Sequence, residues 1–167
     1  VTARLGSKNI VKVLSKEGKL QEFSAKVILI ASGSRPSDVI CDLPKDHPGI
    51  CNTDTILNRG KPPKKLLIVG GGPIAVEFAT ISRSLDIDVT IVSLDWHILP
   101  GIDREISGRL KEIMVGWGVS FVPQATVATV SPTGDELTVE LTNGISCVVD
   151  TVLFAAGRKS NTEDIGL

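Results

Sequence analysis

Hydrophobic positions along this chain change their period several times, and each change marks an element. Ile10–Leu14 and Lys26–Ala31 are short runs rich in Val and Ile, with Lys16-Glu17-Gly18-Lys19 supplying a turn after the first. Such runs predict a hairpin feeding a buried strand. From Ser32 to Pro63 the pattern gives way to Gly, Pro, Asp and Asn, broken by Thr53–Asn58, which predicts one helical turn behind an Asx or Thr cap. Leu66-Leu67-Ile68-Val69 is a continuous apolar run, as expected of a strand covered on both faces. Pro73 suits a first helical position, and Ile74, Phe78, Ile81 and Leu85 recur at helical spacing before Val89–Val92, a second buried strand. Asp103 caps a second predicted helix carrying Ile106, Leu110, Ile113 or Met114, and Trp117 on one face, with Gly118 as its stop and Val119–Val122 as a third parallel strand.

Beyond Pro123 the period shortens to two. Val127–Val130, Leu137–Leu141 and Ile145–Val149 alternate, and Asn143-Gly144 is a strong hairpin signal, so a small antiparallel meander is predicted. Thr151–Ala155 reads as a last buried strand, and Gly157–Asn161 as turn chemistry with no core element after it. The fold class is therefore α/β: a Rossmann-like parallel sheet (βαβαβ) with an antiparallel β-meander. The natural fold is expected to continue past Leu167. A start at Val1, without Met and inside a strand-like stretch, suggests an excised or processed product.

Composition narrows the chemistry. The 167 residues carry 18 Lys and Arg against 19 Asp and Glu, a net charge of −1, with 42% hydrophobic residues. Disorder, collagen and coiled coil are excluded. Near-neutrality gives no electrostatic reason to expect nucleic acid or an anionic membrane surface, because phosphate neutralisation needs clustered cations. The densest basic run, Lys61, Lys64 and Lys65, reads as a solvated linker. Cys41, Cys51 and Cys147 form no CxxC pair, and His47 and His97 are far apart in sequence, so a disulfide framework, a metal site and a His dyad are not expected. No apolar run reaches membrane-spanning length, and the first residues lack a secretory pattern. The expected location is the cytoplasm.

Gly70-Gly71-Gly72-Pro73-Ile74-Ala75 fits G-x-G-x-x-G/A between a predicted strand and a predicted helix. In that context Gly70 permits a tight turn, Gly72 lets the backbone approach a pyrophosphate, and Ala75 allows close helix packing, while the helix N-terminus favours the anion. The alternative is a glycine-rich turn that binds nothing. The acid expected about 20 residues on, at the end of the second strand, is replaced by Ser93. Ser93 can bond a ribose hydroxyl without repelling a 2′-phosphate, and no Arg lies between Val89 and Pro100 to hold one. Asp95 could substitute through a bent loop, or be a solvated turn residue; Trp96 and His97 could flank an adenine or lie on the surface. Glu77, a turn beyond Pro73, reads equally as a compensator of the helix dipole.

Three segments resemble the two-dinucleotide flavoprotein reductases, the family of glutathione reductase, dihydrolipoamide dehydrogenase and soluble pyridine nucleotide transhydrogenase. Val27–Pro36 is similar to the family's ATGSxP strand, Gly70–Ala79 to its NAD(P) fingerprint, and Ala155–Asn161 to its xxGRxPN turn. Asp46-His47-Pro48 and Thr53–Leu57 look most like the transhydrogenase branch. The resemblance implies that residues 1–34 are the last strands of a FAD-domain remnant, 35–62 a crossing linker, 63–156 an NAD(P)-binding domain inserted there, and 157–167 a return toward FAD. It also implies that the family's FAD fingerprint, any redox Cys pair and the dimerisation domain lie outside these residues. The chain alone is then not expected to turn over, and its parent is expected to be a homodimer.

By the same resemblance Gly70, Gly72, Ile74 and Ala75 would hold the pyrophosphate, Ser93, Leu94 and Val127 would line the ribose and adenine, and Gly157 would approach the nicotinamide. Gly33 and Pro73 join this cofactor-contacting set, Pro73 standing where the family often has an aromatic or aliphatic residue. Glu77 matches the Glu that orients the nicotinamide carboxamide, and is the candidate catalytic residue. Ala75 and Ala79 look like the NADPH-using branch, while Pro100 and the missing Arg look like the NAD branch; the mixture suits an enzyme that accepts both NAD and NADP. The implied activity is hydride transfer between nicotinamide and FAD in a soluble transhydrogenase. A disulfide reductase of the dihydrolipoamide dehydrogenase or glutathione reductase type is the alternative, and a non-catalytic NAD(P) sensor a third.

Overall fold

The computed structural model describes residues 1–37, 41, 43–44 and 47–167. Asp46, part of the loop match above, lies outside them. The chain divides into two compact units, Val1–Arg35 with Arg158–Leu167, and Pro36–Gly157.

The first unit opens with an antiparallel meander of β1 (Thr2–Ser7), β2 (Ile10–Leu14) and β3 (Leu20–Ser24). Ser15 Oγ accepts from the N–H groups of Glu17 and Lys19 and so shapes the turn that the sequence places there. The buried strand expected at Lys26–Ala31 does not form, and Val27 and Leu29 stand 83% and 87% exposed. A run like this becomes a buried strand only when its backbone finds ladders and both faces are covered. Among the described residues no strand pairs with it, although Asn9 Nδ2 donates to the carbonyls of Ala25 and Lys26 and fixes its start. β4 (Ser34–Pro36) follows.

The second unit is built on a five-stranded parallel sheet. Its strands are β5 (Ile50–Asn52), β6 (Lys65–Val69), β7 (Asp88–Ser93), β8 (Ser120–Pro123) and β12 (Thr151–Phe154), ordered β5-β12-β6-β7-β8. The edge strand β5 comes from the stretch read as linker, because Cys51 is buried against the sheet and pairs with Leu153. After it Asn52 Oδ1 accepts from the N–H groups of Asp54 and Thr55, an Asx turn leading into a short 3-10 helix at Ile56–Asn58. Helix α1 (Pro73–Ser84) joins β6 to β7 and α2 (Arg104–Gly116) joins β7 to β8. The meander β9 (Val127–Thr133), β10 (Glu136–Leu141) and β11 (Ser146–Val149) precedes β12, with the Asn143-Gly144 turn between its last two strands.

Strand alternation sends the two faces of this sheet to different layers. Leu66 and Ile68 pack with Ala75, Val76 and Ala79 of α1 and Met114 of α2. Leu67 and Val69 pack with Val127, Val130, Leu137 and Val139 of the meander.

Each helix buries only part of the stripe that its large residues suggest. On α1 the buried residues are Ala75, Val76, Ala79 and Ser82, while Ile81 and Leu85 are exposed. Close approach to the sheet selects small side chains, so Ile74 and Phe78 pack against the core only partly buried while Ile81 and Leu85 turn outward. On α2 Asp103 Oδ1 caps the N-terminus by accepting from the N–H groups of Glu105 and Ile106, as expected. Met114 is buried and Leu110 packs against the core, but Ile106 and Trp117 are exposed.

Arg158–Ser160, read as turn, forms strand β13 and pairs with β4. Arg158 closes that ladder by donating from Nε to Ser34 Oγ and from Nη2 to Ser34 O, both at 2.9 Å.

Candidate nucleotide-binding cleft

The crevice lies at the carboxyl ends of β12, β6 and β7. From β6 the chain steps outward through β7 to β8 and later returns to β12 on the other side of β6. Such a reversal leaves the helix after β6 and the loops beyond the strands standing apart, which opens a cleft. Here it measures about 310 Å3.

Its floor is the glycine turn between β6 and α1. Gly70 N–H donates to Val92 O at 2.8 Å, which ties the turn to β7. Gly70 has φ +124°, and a Cβ there would stand 2.6 Å from Ala155 O. A Cβ on Gly71 would stand 2.6 Å from Ser93 Oγ, whereas one on Gly72 would meet nothing within 4 Å. The first two glycines thus let backbone pack on backbone and side chain, and the third leaves open space over the turn. Gly72 is also the N-cap of α1, and it supplies no side-chain cap. With Pro73 at the first position and no acid in the first turn, the uncapped helix terminus is free to meet an anion.

One wall is the strap that follows β7. Ser93 is 3% exposed, and its Oγ accepts from Asp95 N–H at 3.2 Å. Ile98 is buried beneath the strap, and Leu99 N–H donates to Gly71 O at 2.6 Å, returning it to the glycine turn. Leu94, Asp95 and Pro100 face the cleft from this strap. A second wall is Ala125 and Thr126, held where Ala125 N–H donates to Ser93 O and Thr126 N–H to Thr142 Oγ1. The third is Ala155, Ala156 and Gly157, with Ala155 N–H bonded to Val69 O and Gly157 O accepting from Ser37 N–H.

Of the residues singled out from the sequence, Gly70, Gly72, Pro73, Ile74, Ser93, Leu94 and Gly157 line this one cleft. Ala75 and Val127 do not. Ala75 is buried beneath α1, where its small size serves packing, and Val127 opens β9 with its side chain in the meander core. Ala125 and Thr126 occupy the wall assigned to Val127; the step from β8 to β9 at the same end of the sheet was the available signal. Gly33 belongs to the other unit, where its carbonyl accepts from Asn161 N–H. Glu77 is exposed on α1 and lies outside the lining, as do Trp96 and His97. Gly71, between the two glycines of the motif, is the residue the sequence reading passed over, and its contact with Ser93 joins floor to wall.

Among the described residues no group of His, Cys, Asp and Glu is arranged to hold a metal ion, and no helix is long and apolar enough to cross a membrane. The donor set instead fits a dinucleotide: a side-chain-free cradle for a pyrophosphate beside a polar strand end and an apolar far wall.

Comparison with known proteins gives the family. The soluble pyridine nucleotide transhydrogenase of Vibrio cholerae is 34% identical over 161 residues, which cover 94% of this chain and 34% of that protein. The HOCl-induced flavoprotein disulfide reductase RclA from Escherichia coli, as its Cu(II) complex, superposes with a TM-score of 0.80 at 28% identity over 98% of this chain and 36% of its own. LpdA from Mycobacterium tuberculosis gives 0.81 at 27% identity over 99% of this chain and 36% of its own. The chain therefore spans about a third of the length of the relatives it matches. The family model described as pyridine nucleotide-disulphide oxidoreductase matches residues 1–167, and the chain belongs to that family.

Proposed function

We propose that Pro36–Gly157 binds a nicotinamide dinucleotide and presents it for hydride exchange with FAD, in a soluble transhydrogenase. The observation that carries this reading is the glycine cradle: Gly70 and Gly71 have no room for a side chain, and Gly72 leaves the uncapped α1 terminus open to the cleft. Hydride transfer between nicotinamide and flavin is the chemistry the two bound groups supply; the protein contributes orientation and electrostatics.

In this reading Gly72, Ile74 and the first turn of α1 hold the pyrophosphate, and the strap after β7 holds the adenosine half. Gly157, without a side chain at the far wall, lets the nicotinamide lie against backbone. Glu77 lies outside the lining, and its role in orienting the carboxamide rests on the family resemblance alone. The transhydrogenase assignment draws on the Vibrio cholerae relative. A disulfide reductase is the second reading, favoured by the likeness to RclA. FAD, a parent homodimer and a cytoplasmic setting are part of the same proposal.

Calorimetric titration of the chain with NADH, NADPH and ADP-ribose tests the binding step. Saturable one-site binding that Gly72→Ala weakens is the expected result; binding of none of the three overturns the proposal. For the chemistry, the FAD-loaded full-length parent is mixed with NADPH and an NAD analogue of distinct absorbance. Transfer to the analogue without any disulfide substrate supports transhydrogenation, and activity only with a disulfide moves the assignment to the second reading.

A further inference from the structure

Asp95 is the only charged side chain among the described residues that line the cleft, and no Lys, Arg or His joins it there. It is exposed, two residues past the end of β7, and its position is fixed by the strap. Its own N–H donates to Ser93 Oγ at 3.2 Å, and the strap closes through Leu99 N–H on Gly71 O at 2.6 Å. Ser93, the first candidate for the ribose, is only 3% exposed, and its hydroxyl crowds the missing Cβ of Gly71 and accepts from the Asp95 backbone.

With a pyrophosphate over Gly72, the adenosine ribose falls at the end of β7. Resting on that reading of the cleft, we infer that Asp95 takes the adenosine ribose through its diol and rejects a 2′-phosphate, so that the cleft prefers NAD(H) to NADP(H), and that Ser93 is a positioning residue for it. An ionised carboxylate only accepts, and a ribose diol offers two donors, so the two are matched. A 2′-phosphate in the same place sets like charges against one another with no cation in the lining to offset them. The preference is graded, because the pyrophosphate and nicotinamide contacts are common to both nucleotides.

The test is calorimetric titration of the chain with NADH and with NADPH, at low and at high salt. Wild type is expected to bind NADH about tenfold more tightly at low salt, with the ratio shrinking as salt screens the repulsion. Asp95→Asn and Asp95→Ala should bring the ratio to within about twofold of one and remove its salt dependence, whereas Asp95→Glu should retain both. Ser93→Ala should weaken the preference yet leave it salt-dependent, since the charge remains and only its placement is loosened. A NADH-to-NADPH ratio unchanged in both Asp95→Asn and Asp95→Ala overturns this inference while leaving dinucleotide binding intact. Failure of wild type to bind either nucleotide overturns both.

Discussion

Ser93 Oγ and the absent side chain of Gly71 compete for one position: a Cβ on Gly71 would lie 2.6 Å from that oxygen and 3.0 Å from Ser93 Cβ. Since Gly71 has no positive φ, an alanine there is penalised by crowding and not by backbone strain. Gly71→Ala should cost about 1–3 kcal/mol in urea unfolding, the usual price of overpacking. Adding Ser93→Gly should recover part of that loss, because it removes both crowded atoms. Independent, additive costs in the double-mutant cycle would show that the contact is not the cause.

Gly70 and Gly72 separate folding from binding. Gly70 combines a φ of +124° with a backbone oxygen at 2.6 Å from its would-be Cβ, so Gly70→Ala should destabilise by more than about 2 kcal/mol. Gly72 has φ −79° and open space, so Gly72→Ala should stay within about 1 kcal/mol of wild type, the loss of a glycine N-cap included. Its effect belongs to the ligand: a methyl group over the helix terminus should weaken NADH by at least about tenfold, as expected when an anion is kept from the backbone donors. Unfolding and titration of both variants check the pair, and retained NADH affinity in Gly72→Ala would place the pyrophosphate elsewhere.

What was legible in the sequence followed from local pattern. Continuous apolar runs located β6, β7 and β12, alternation located the meander, and the glycines between β6 and α1 located the cleft floor. The stripe that a helix buries was legible only in part: Ile74, Phe78, Leu110 and Met114 do pack in or against the core, but Ala75 and Ala79 are chosen by the closeness of the sheet and a periodicity count favours larger neighbours. The burial of Ser93 was not legible, since it depends on Gly71 arriving from a different strand end. Lys26–Ala31 shows the converse limit: its composition states a readiness to pair, and only a neighbouring strand could turn that into a buried element.

The difference between the predicted and the observed helix stripe is itself measurable on α2. Met114 is 2% exposed in the core between the helix and the sheet, while Ile106, two turns earlier, is 64% exposed. Met114→Ala should lower unfolding stability by about 2–5 kcal/mol through lost contacts and a cavity. Ile106→Ala should stay within about 0.5 kcal/mol of wild type, since it removes a solvated side chain and adds a better helix former. Equal costs at the two positions would mean that α2 is rotated about its axis relative to the described packing.

Arg35 and Lys159 meet on Glu163. Lys159 Nζ lies 2.6 Å from Glu163 Oε1 and Arg35 Nη2 lies 2.5 Å from Oε2, while Arg35 Nη1 donates to Asn161 Oδ1. The hydrogen bond from Lys159 first, and then that from Arg35, hold the Glu163 carboxyl below its ordinary value of 4.5. A carboxyl depressed in the folded state stabilises it above the unfolded pKa, and that contribution fades as pH falls from the ordinary value through the lowered one. The group is fully exposed, so solvent and salt weaken the effect. Calorimetric melting of wild type and Glu163→Gln from about pH 6 to about pH 3 should show the two transitions separated at the upper end and converging at the lower, because the variant lacks this titration while sharing every other one. A gap that stays constant with pH would mean that Glu163 holds the β4–β13 ladder through packing and neutral hydrogen bonds, and not through its charge.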